Sequence, residues 1–446
     1  MSRIAVLGTG MAGFGAWHRL RSEAHDVVLY DKNLYAGGHT FSWSYPPGFI
    51  FDEGPHVSFT KDERVRGILA EAVDGEFEEI QYELTNHWRG HWNPHPVQTN
   101  LYGLPTDVVT RVIADFVAQS QEPEAPIRNY EDWLVQAYGR TFAEEFPAAY
   151  TRKYHTTPPR NLTTDWIGPR MYRPSLEEVL RGALAPAAPN VHYITGFRYP
   201  RRGGFVEYLR KWAGAAPIEL GHEAVAIDPI GRKIRFRNGR VESYDHLISS
   251  VPLPDLVSIL RDVPAEVQDA ASSLACSICV LVNVGVARDD ISATHIDYFY
   301  DEDIIFSRLS FPHLMSRHNV PEGAASIQAE VYFSEKYRPL DRKPDDYIEP
   351  VIRDLRRCGI LDVGDEILYK GALLLPYANV IYDHDRGPAL ERVHGYLAEL
   401  GIAWCGRYGD WGHIWTDEAF VSGERAAETT LTRAAKRRSA LSVPTG

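Results

Sequence analysis

Residues Ile4-Ala5-Val6-Leu7-Gly8-Thr9-Gly10-Met11-Ala12-Gly13 place four apolar residues directly before three glycines in the spacing G-x-G-x-x-G. The apolar tetrad predicts a short buried strand, and the stretch to about Arg21 predicts a helix. A second apolar run, Val27-Val28-Leu29-Tyr30, ends at Asp31. Strand, glycine turn, helix, strand and acid, in that order, are the dinucleotide fingerprint in the context it requires. Gly8 permits the tight turn, Gly10 lets the backbone approach a pyrophosphate, and Gly13 lets the helix pack against the strand. The phosphates belong at the helix start, where the N–H groups of Met11 and Ala12 and the helix dipole favour an anion. Asp31, with Lys32 beside it, stands where a carboxylate takes ribose hydroxyls.

Two glycine sites follow. Ala36-Gly37-Gly38-His39-Thr40 comes directly after the acid, and Phe51-Asp52-Glu53-Gly54-Pro55-His56 follows a Tyr-Pro-Pro-Gly turn. Repeated close approach of backbone suits a long cofactor, FAD rather than NAD, whose isoalloxazine must be buried. Near the other end, Trp404-Cys405-Gly406-Arg407-Tyr408-Gly409-Asp410-Trp411 reads as a strand ending in glycine. Trp415 to Ala427 reads as a helix started by Thr416 and Asp417. A helix start aimed at the flavin pyrimidine stabilises negative charge there. The two ends of the chain are therefore expected to close one cofactor site, with Val225 contacting the cofactor from the middle.

The 446 residues are 44% hydrophobic and 24% charged, which excludes disorder for most of the chain, and the length predicts two or three domains. Lys+Arg 47 against Asp+Glu 60 gives −13, which argues against nucleic-acid or anionic-membrane binding. The apolar run Ala275–Ala287 is far below the roughly 20 residues of a membrane-spanning helix. The N-terminus reaches Gly8 too soon for a signal-peptide core, so the expected location is cytoplasmic. Cys276 and Cys279 form a C-x-x-C, but strand residues three apart point to opposite faces, so neither a redox pair nor a metal site is expected.

The remaining chain divides by periodicity. Helical spacing marks Lys61–Val73, Thr106–Gln119, Tyr130–Gly139, Thr141–Lys153 and Ser175–Ala183. Ile218–Val251 alternates around an Asn238-Gly239 hairpin and ends in a strand returning to the first sheet. Ile278–Val286, Ile296–Tyr300, Ile327–Phe333 and Ile367–Leu375 are β-rich, with a helix near Asp345–Arg357. The expected fold class is α/β: a discontinuous Rossmann-type FAD-binding domain (1–85, 192–256 and 395–436), a helical insertion (86–191), an antiparallel-sheet substrate domain (257–394), and a tail (437–446). The basic run Arg433, Lys436, Arg437, Arg438 is expected to fray into solvent.

At this level the chain resembles the FAD-dependent amine oxidase and protoporphyrinogen oxidase superfamily, and more narrowly the UDP-galactopyranose mutases. The terminal fingerprints are common to the superfamily; the middle is narrower. Gly54-Pro55-His56 resembles the mutase segment beside the flavin, and Trp92-Asn93-Pro94-His95-Pro96-Val97-Gln98-Thr99-Asn100 the stretch that contacts the nucleotide. Tyr150-Thr151-Arg152-Lys153-Tyr154 with Leu162 to Arg170 resembles the mutase helix and arginine loop. Phe197 to Gly204 resembles the return to the FAD domain.

The resemblance implies that Arg170 and Arg308 hold sugar and pyrophosphate, a task suited to bidentate guanidinium groups. It also implies that Gln98 contacts a uridine, that Tyr298 is a pocket aromatic and that His56 shapes the reactive flavin face. Departures lie in the nucleotide slot. Asn379 and His413 stand where the mutases carry two diphosphate-clamping tyrosines, and His95, Ile296 and Ile194 replace a tyrosine, an aromatic and an asparagine. The implied activity is redox-neutral pyranose/furanose ring isomerisation of a nucleotide sugar, or another anionic diphosphate, through N5 of reduced FAD. The alternative is oxidation of a C–N or C–H bond in the amine oxidase or protoporphyrinogen oxidase manner. A small-molecule substrate is expected, and a homo-oligomer is compatible with either reading.

Overall fold

The computed structural model describes residues 2–123, 125–186 and 194–441, leaving the side chains of 169 and 436–441 undescribed. The expected boundary at 191/192 and the last five residues of the expected tail lie outside the described residues. Arg3–Leu7 forms the central strand of a five-stranded sheet in the order Ile402–Trp404, His246–Ser249, Arg3–Leu7, Asp26–Tyr30, Ile218–Glu219. Each of its pairings is parallel. A parallel sheet needs cover on both faces, so its strands read as continuous apolar runs; Ile4, Val6, Leu29 and Ile248 are fully buried. Three distant stretches of chain thus build one Rossmann sheet.

Helix Met11–Leu20 packs on that sheet and against the C-terminal helix Thr416–Leu441. The two helices touch backbone to backbone: a Cβ on Gly423 would lie 1.9 Å from the Ala12 carbonyl oxygen, and one on Gly15 2.1 Å from that of Phe420. The helix continues through the basic run to Leu441 instead of fraying after residue 436.

A second sheet has seven strands in the order Ile367–Leu375, Ile278–Val286, Ala325–Phe333, Arg308–Ser310, Ile296–Phe299, Leu84–Trp88, His91–Pro94. It differs from the expected antiparallel roof in two respects. Ile296–Phe299 pairs in parallel with Leu84–Trp88, a strand that straddles the expected boundary at 85/86, and His91–Pro94 lies within the segment 86–191 expected to be helical. Short strands with mixed polar residues carry no apolar run long enough to announce themselves. Ile278–Val286 and Ala325–Phe333 are buried along their whole length, with helix Ile348–Arg357 covering the far face.

The helical layer contains Thr106–Gln121, Tyr130–Tyr138 and Leu176–Leu184. Asn129 caps the second by accepting from the Asp132 N–H, and Ser175 forms a capping box with Glu178 on the third. The run expected as one helix from Thr141 starts at Arg140, widens into a π turn over Glu144–Ala148, and resumes as Ala149–Tyr154. Pro147 lacks an N–H to donate, and the π turn accommodates it without ending the helix.

Candidate functional site

The cofactor cradle is built from the glycine turns. Gly8 sits at φ +107°, where a side chain would strike the Ser250 hydroxyl, and a Cβ on Gly13 would lie 2.0 Å from the Gly8 carbonyl oxygen. Gly10 precedes helix Met11–Leu20 with no side-chain cap, so the first-turn N–H groups, those of Met11 and Ala12 among them, have no side chain capping them. Gly37 and Gly38 lie at φ +136° and +52°, and a Cβ on Gly38 would meet the Gly10 Cα at 3.2 Å. The Gly37 N–H donates to the Thr9 carbonyl, and the Thr40 hydroxyl to that of Gly37. Two glycine turns therefore press together at an uncapped helix start, a fit for a pyrophosphate.

Asp31 is buried at the end of its strand, and its Oδ2 accepts from both the N–H and the hydroxyl of Thr9, at 2.8 and 2.6 Å. Its Oδ1 accepts from the Asn33 N–H. Both oxygens already fix the glycine turn, and each retains an acceptor direction for a ribose hydroxyl. Lys32 is exposed, and Val225 is half-buried in strand Ala224–Asp228, beyond the sheet.

From the C-terminal side, Gly406 has φ +78°; a Cβ there would meet that of Ala12 at 2.9 Å, and its N–H donates to the Ser422 hydroxyl. Arg407 donates to the Ile414 and Ala378 carbonyls and, at 3.4 Å, to Asn379 Oδ1. Among the described residues it has no ion-pair partner, leaving an unneutralised cation for an anionic group. Thr416 and Asp417 open the long helix as expected, half-buried.

His56 follows Gly54 (φ +94°) and Pro55. Its Nδ1–H donates to the Gly54 carbonyl at 2.8 Å, and its ring lies against Phe205. Burial, then the charge of Arg407, lowers its pKa to about 3, so it is neutral at pH 7 with Nε2 as an acceptor. His39 lies 3.3 Å from Glu53, a buried carboxylate that also accepts from the Trp43 indole.

The candidate substrate wall comes from strand register. Tyr298 pairs with Arg308, and Arg308 with Glu330, across three adjacent strands. Side chains opposite one another share a face, so these three form a row. Arg308 Nε donates to Glu330 Oε1 at 2.9 Å; Glu330, only 1% exposed, also accepts from the Tyr332 hydroxyl. Burial works against the Arg308 charge, but Glu330 and the surrounding tyrosines Tyr332, Tyr150 and Tyr154 more than offset it and hold the guanidinium protonated. Helix Ala149–Tyr154 lays Tyr150 and Tyr154 over the row: ring centroids are 5.7 Å apart for Tyr150–Tyr298 and 4.9 Å for Tyr154–Tyr332. His95 stacks on Tyr298 at 4.6 Å and 24°, its Nδ1–H donating to Asn86 Oδ1.

Arg170 donates to the His413 carbonyl and lies 5.6 Å from the Trp415 ring; its Nε is buried without a partner. The His413 ring, whose Nδ1 is likewise unpartnered, is held neutral by burial and by the positive charge of Arg407. Gln98, half-buried, donates to the Tyr172 carbonyl. Asn379 is buried, its N–H donating to the Ser277 hydroxyl. Ile296 and Ile194, by contrast, lie in the apolar core of the cofactor-binding half.

Sequence reasoning singled out neither Glu330 nor Tyr332. Their signal was the alternation Ser326, Gln328, Glu330, Tyr332 in an otherwise apolar strand, which marks one polar face. Tyr150 and Tyr154 stand in the motif 150–154, whose sequence alone does not show that both rings face the strand row. Burial raises the Cys276 thiol pKa to about 12, and Cys279 lies within the adjacent strand, so both stay protonated packing groups.

Fold and cradle define the class: a Rossmann-type dinucleotide-binding protein, with FAD as its cofactor. Within that class the chain is similar to the UDP-galactopyranose mutases. The crystal structure of reduced UDP-galactopyranose mutase superposes with a TM-score of 0.90 at 26% identity, covering 97% of this chain and 96% of that one. A putrescine oxidase variant shares the fold alone, at a TM-score of 0.64 and 13% identity over 97% of this chain and 99% of the other. The profile of NAD(P)-binding Rossmann-like domains matches residues 6–72. The 4,4'-diapophytoene desaturase (4,4'-diaponeurosporene-forming) of Staphylococcus aureus is 37% identical over 60 residues, 14% of this chain. That match spans only 12% of the desaturase. Among the described residues, no helix is long and apolar enough to cross a membrane.

Proposed function

We propose that the chain is an FAD-dependent sugar-nucleotide mutase, catalysing redox-neutral ring isomerisation between pyranose and furanose forms. The observation that carries this reading is the row Tyr298–Arg308–Glu330. A guanidinium fixed by a buried carboxylate, walled by tyrosines and close enough to His56 to depress its pKa, suits an anionic leaving group. A simple cationic amine gives such a cation no task, whereas a diphosphate pairs with it directly. Held by the glycine turns in reduced form, FAD would supply the nucleophile that displaces the nucleoside diphosphate from the anomeric carbon, and would be the leaving group when the diphosphate returns to that carbon.

The protein's own residues would do the rest. Arg308 would pair with the departing diphosphate, and the unpartnered Nε of Arg170 would be free to donate to the same group. Neutral His56 offers an acceptor to a sugar hydroxyl without adding positive charge at the reacting face. Gln98 and the stacked His95–Tyr298 pair shape the base slot. Asn379 and His413 line the diphosphate, where neutral side chains leave the charge pairing to the arginines. Oxidation of a C–N or C–H bond is the second reading, favoured by terminal motifs that are equally those of amine oxidases and protoporphyrinogen oxidases and by the likeness to a putrescine oxidase variant and a desaturase.

One anaerobic experiment separates the two. Dithionite-reduced protein is mixed with UDP- and TDP-sugars and the products are examined for ring isomers. Turnover only in the reduced state, without net oxidation, supports the mutase. Rapid bleaching of oxidised flavin by an amine or porphyrinogen, with peroxide formed in air, sinks it.

A further inference from the structure

We propose that Lys153 is a positioning residue that sets the geometry of the substrate wall by clamping the connection between Tyr298 and Arg308. This rests on the mutase reading only in assigning a diphosphate to that wall. Lys153 is 5% exposed. Its ammonium donates to three backbone carbonyls, those of Phe299 (3.1 Å), Asp301 (2.7 Å) and Phe306 (2.6 Å). An ammonium has three N–H donors and no acceptor, so all three are used and none remains for a ligand.

Phe299 ends the strand carrying Tyr298, and Asp301 and Phe306 lie in the loop that runs from it to the strand opened by Arg308. Lys153 itself lies on helix Ala149–Tyr154, between the two tyrosines that cover Arg308. One side chain therefore ties both walls of the pocket together. Neighbouring groups support the same loop: Arg152 pairs in bidentate fashion with Glu302, and Asp354 accepts from the Ile305 N–H. Burial lowers the ammonium's pKa toward 7, while Asp301 opposes the shift and the three carbonyls favour the charged form.

The test uses the FAD-bound protein, with UDP as the probe. Lys153→Met should accelerate amide exchange in residues 299–310 selectively and weaken UDP binding at least tenfold at unchanged FAD stoichiometry. In turnover the rise should fall on KM more than on kcat. Lys153→Gln, which keeps two donors, should give an intermediate loss and serves if the methionine variant does not fold. Exchange that rises uniformly across the chain, or UDP affinity that is unchanged in a loosened loop, overturns the proposal. If the unaltered protein binds no nucleoside diphosphate, the mutase reading fails, and the locality of the exchange change alone decides the clamp.

Discussion

At the scale of the residue, Arg308 shows how one side chain serves both packing and ligand recognition. From sequence alone an arginine inside an apolar strand run is as well explained by an ion pair as by a ligand site, and the structure supplies the pair. Glu330 is 1% exposed and Arg308 19%, so removing the cation strands a carboxylate in the core. Arg308→Ala should therefore destabilise the fold by about 3 kcal/mol, read from chemical denaturation, as well as abolish nucleotide binding. Pairing Arg308→Met with Glu330→Gln should recover most of that stability while binding stays lost. A double variant that regains binding would remove Arg308 from the site. FAD should remain bound in both, since among the described residues the side-chain hydrogen bonds of the pair run to each other, Tyr298 and Tyr332, and not to the glycine turns.

At the scale of the element, the two helices from the chain ends cross through glycines. Gly13 and Gly10 were legible as fingerprint residues because their spacing is local. Gly423 lay in a helix start with no such pattern, and its role emerges only where it meets Ala12. A methyl group there must push the C-terminal helix from the first one, because the atoms it meets are backbone. Gly423→Ala should cost about 1–3 kcal/mol or more, seen as a lowered Tm, and should reduce FAD retention. A matched Gly387→Ala on helix Arg386–Glu399, where a Cβ meets open space, should leave both unchanged. Equal effects of the two changes would show that backbone contact is not the cause.

At the scale of the whole molecule, burial of neutral histidines makes the fold sensitive to acid. Burial lowers the pKa of His155 to about 4, below the unfolded value of 6.5. The unfolded chain therefore binds its proton first, so the contribution of this group is present above about pH 6.5 and is lost as pH falls toward 4. His313 behaves in the same way. Asp52 and Asp297, raised to about 6 by burial, act oppositely and favour the folded state on the acid side of that value. Replacing His155 with Phe should flatten the fall of the urea midpoint between pH 6.5 and 4 by about one proton's worth of slope, near 1.4 kcal/mol per pH unit. An unchanged slope would show that His155 is not the linked group. We further propose the division of the chain into an FAD domain, a helical insertion and a sheet domain, with the strands of 84–94 assigned to the sheet.

The sequence by itself determined the Rossmann core, the dinucleotide cradle and the meeting of the chain ends, because these depend on local features: apolar runs, glycine spacing and helix starts within a few residues. It also located most helices, whose periodicity repeats every turn. Tertiary structure alone decided the substrate wall. Which residues stand beside Arg308 is a matter of strand register between separate segments, and a shift of one residue would exchange Glu330 for an apolar neighbour. The same holds for Lys153, whose three acceptors are backbone atoms nearly 150 residues away and carry no side-chain signature at all.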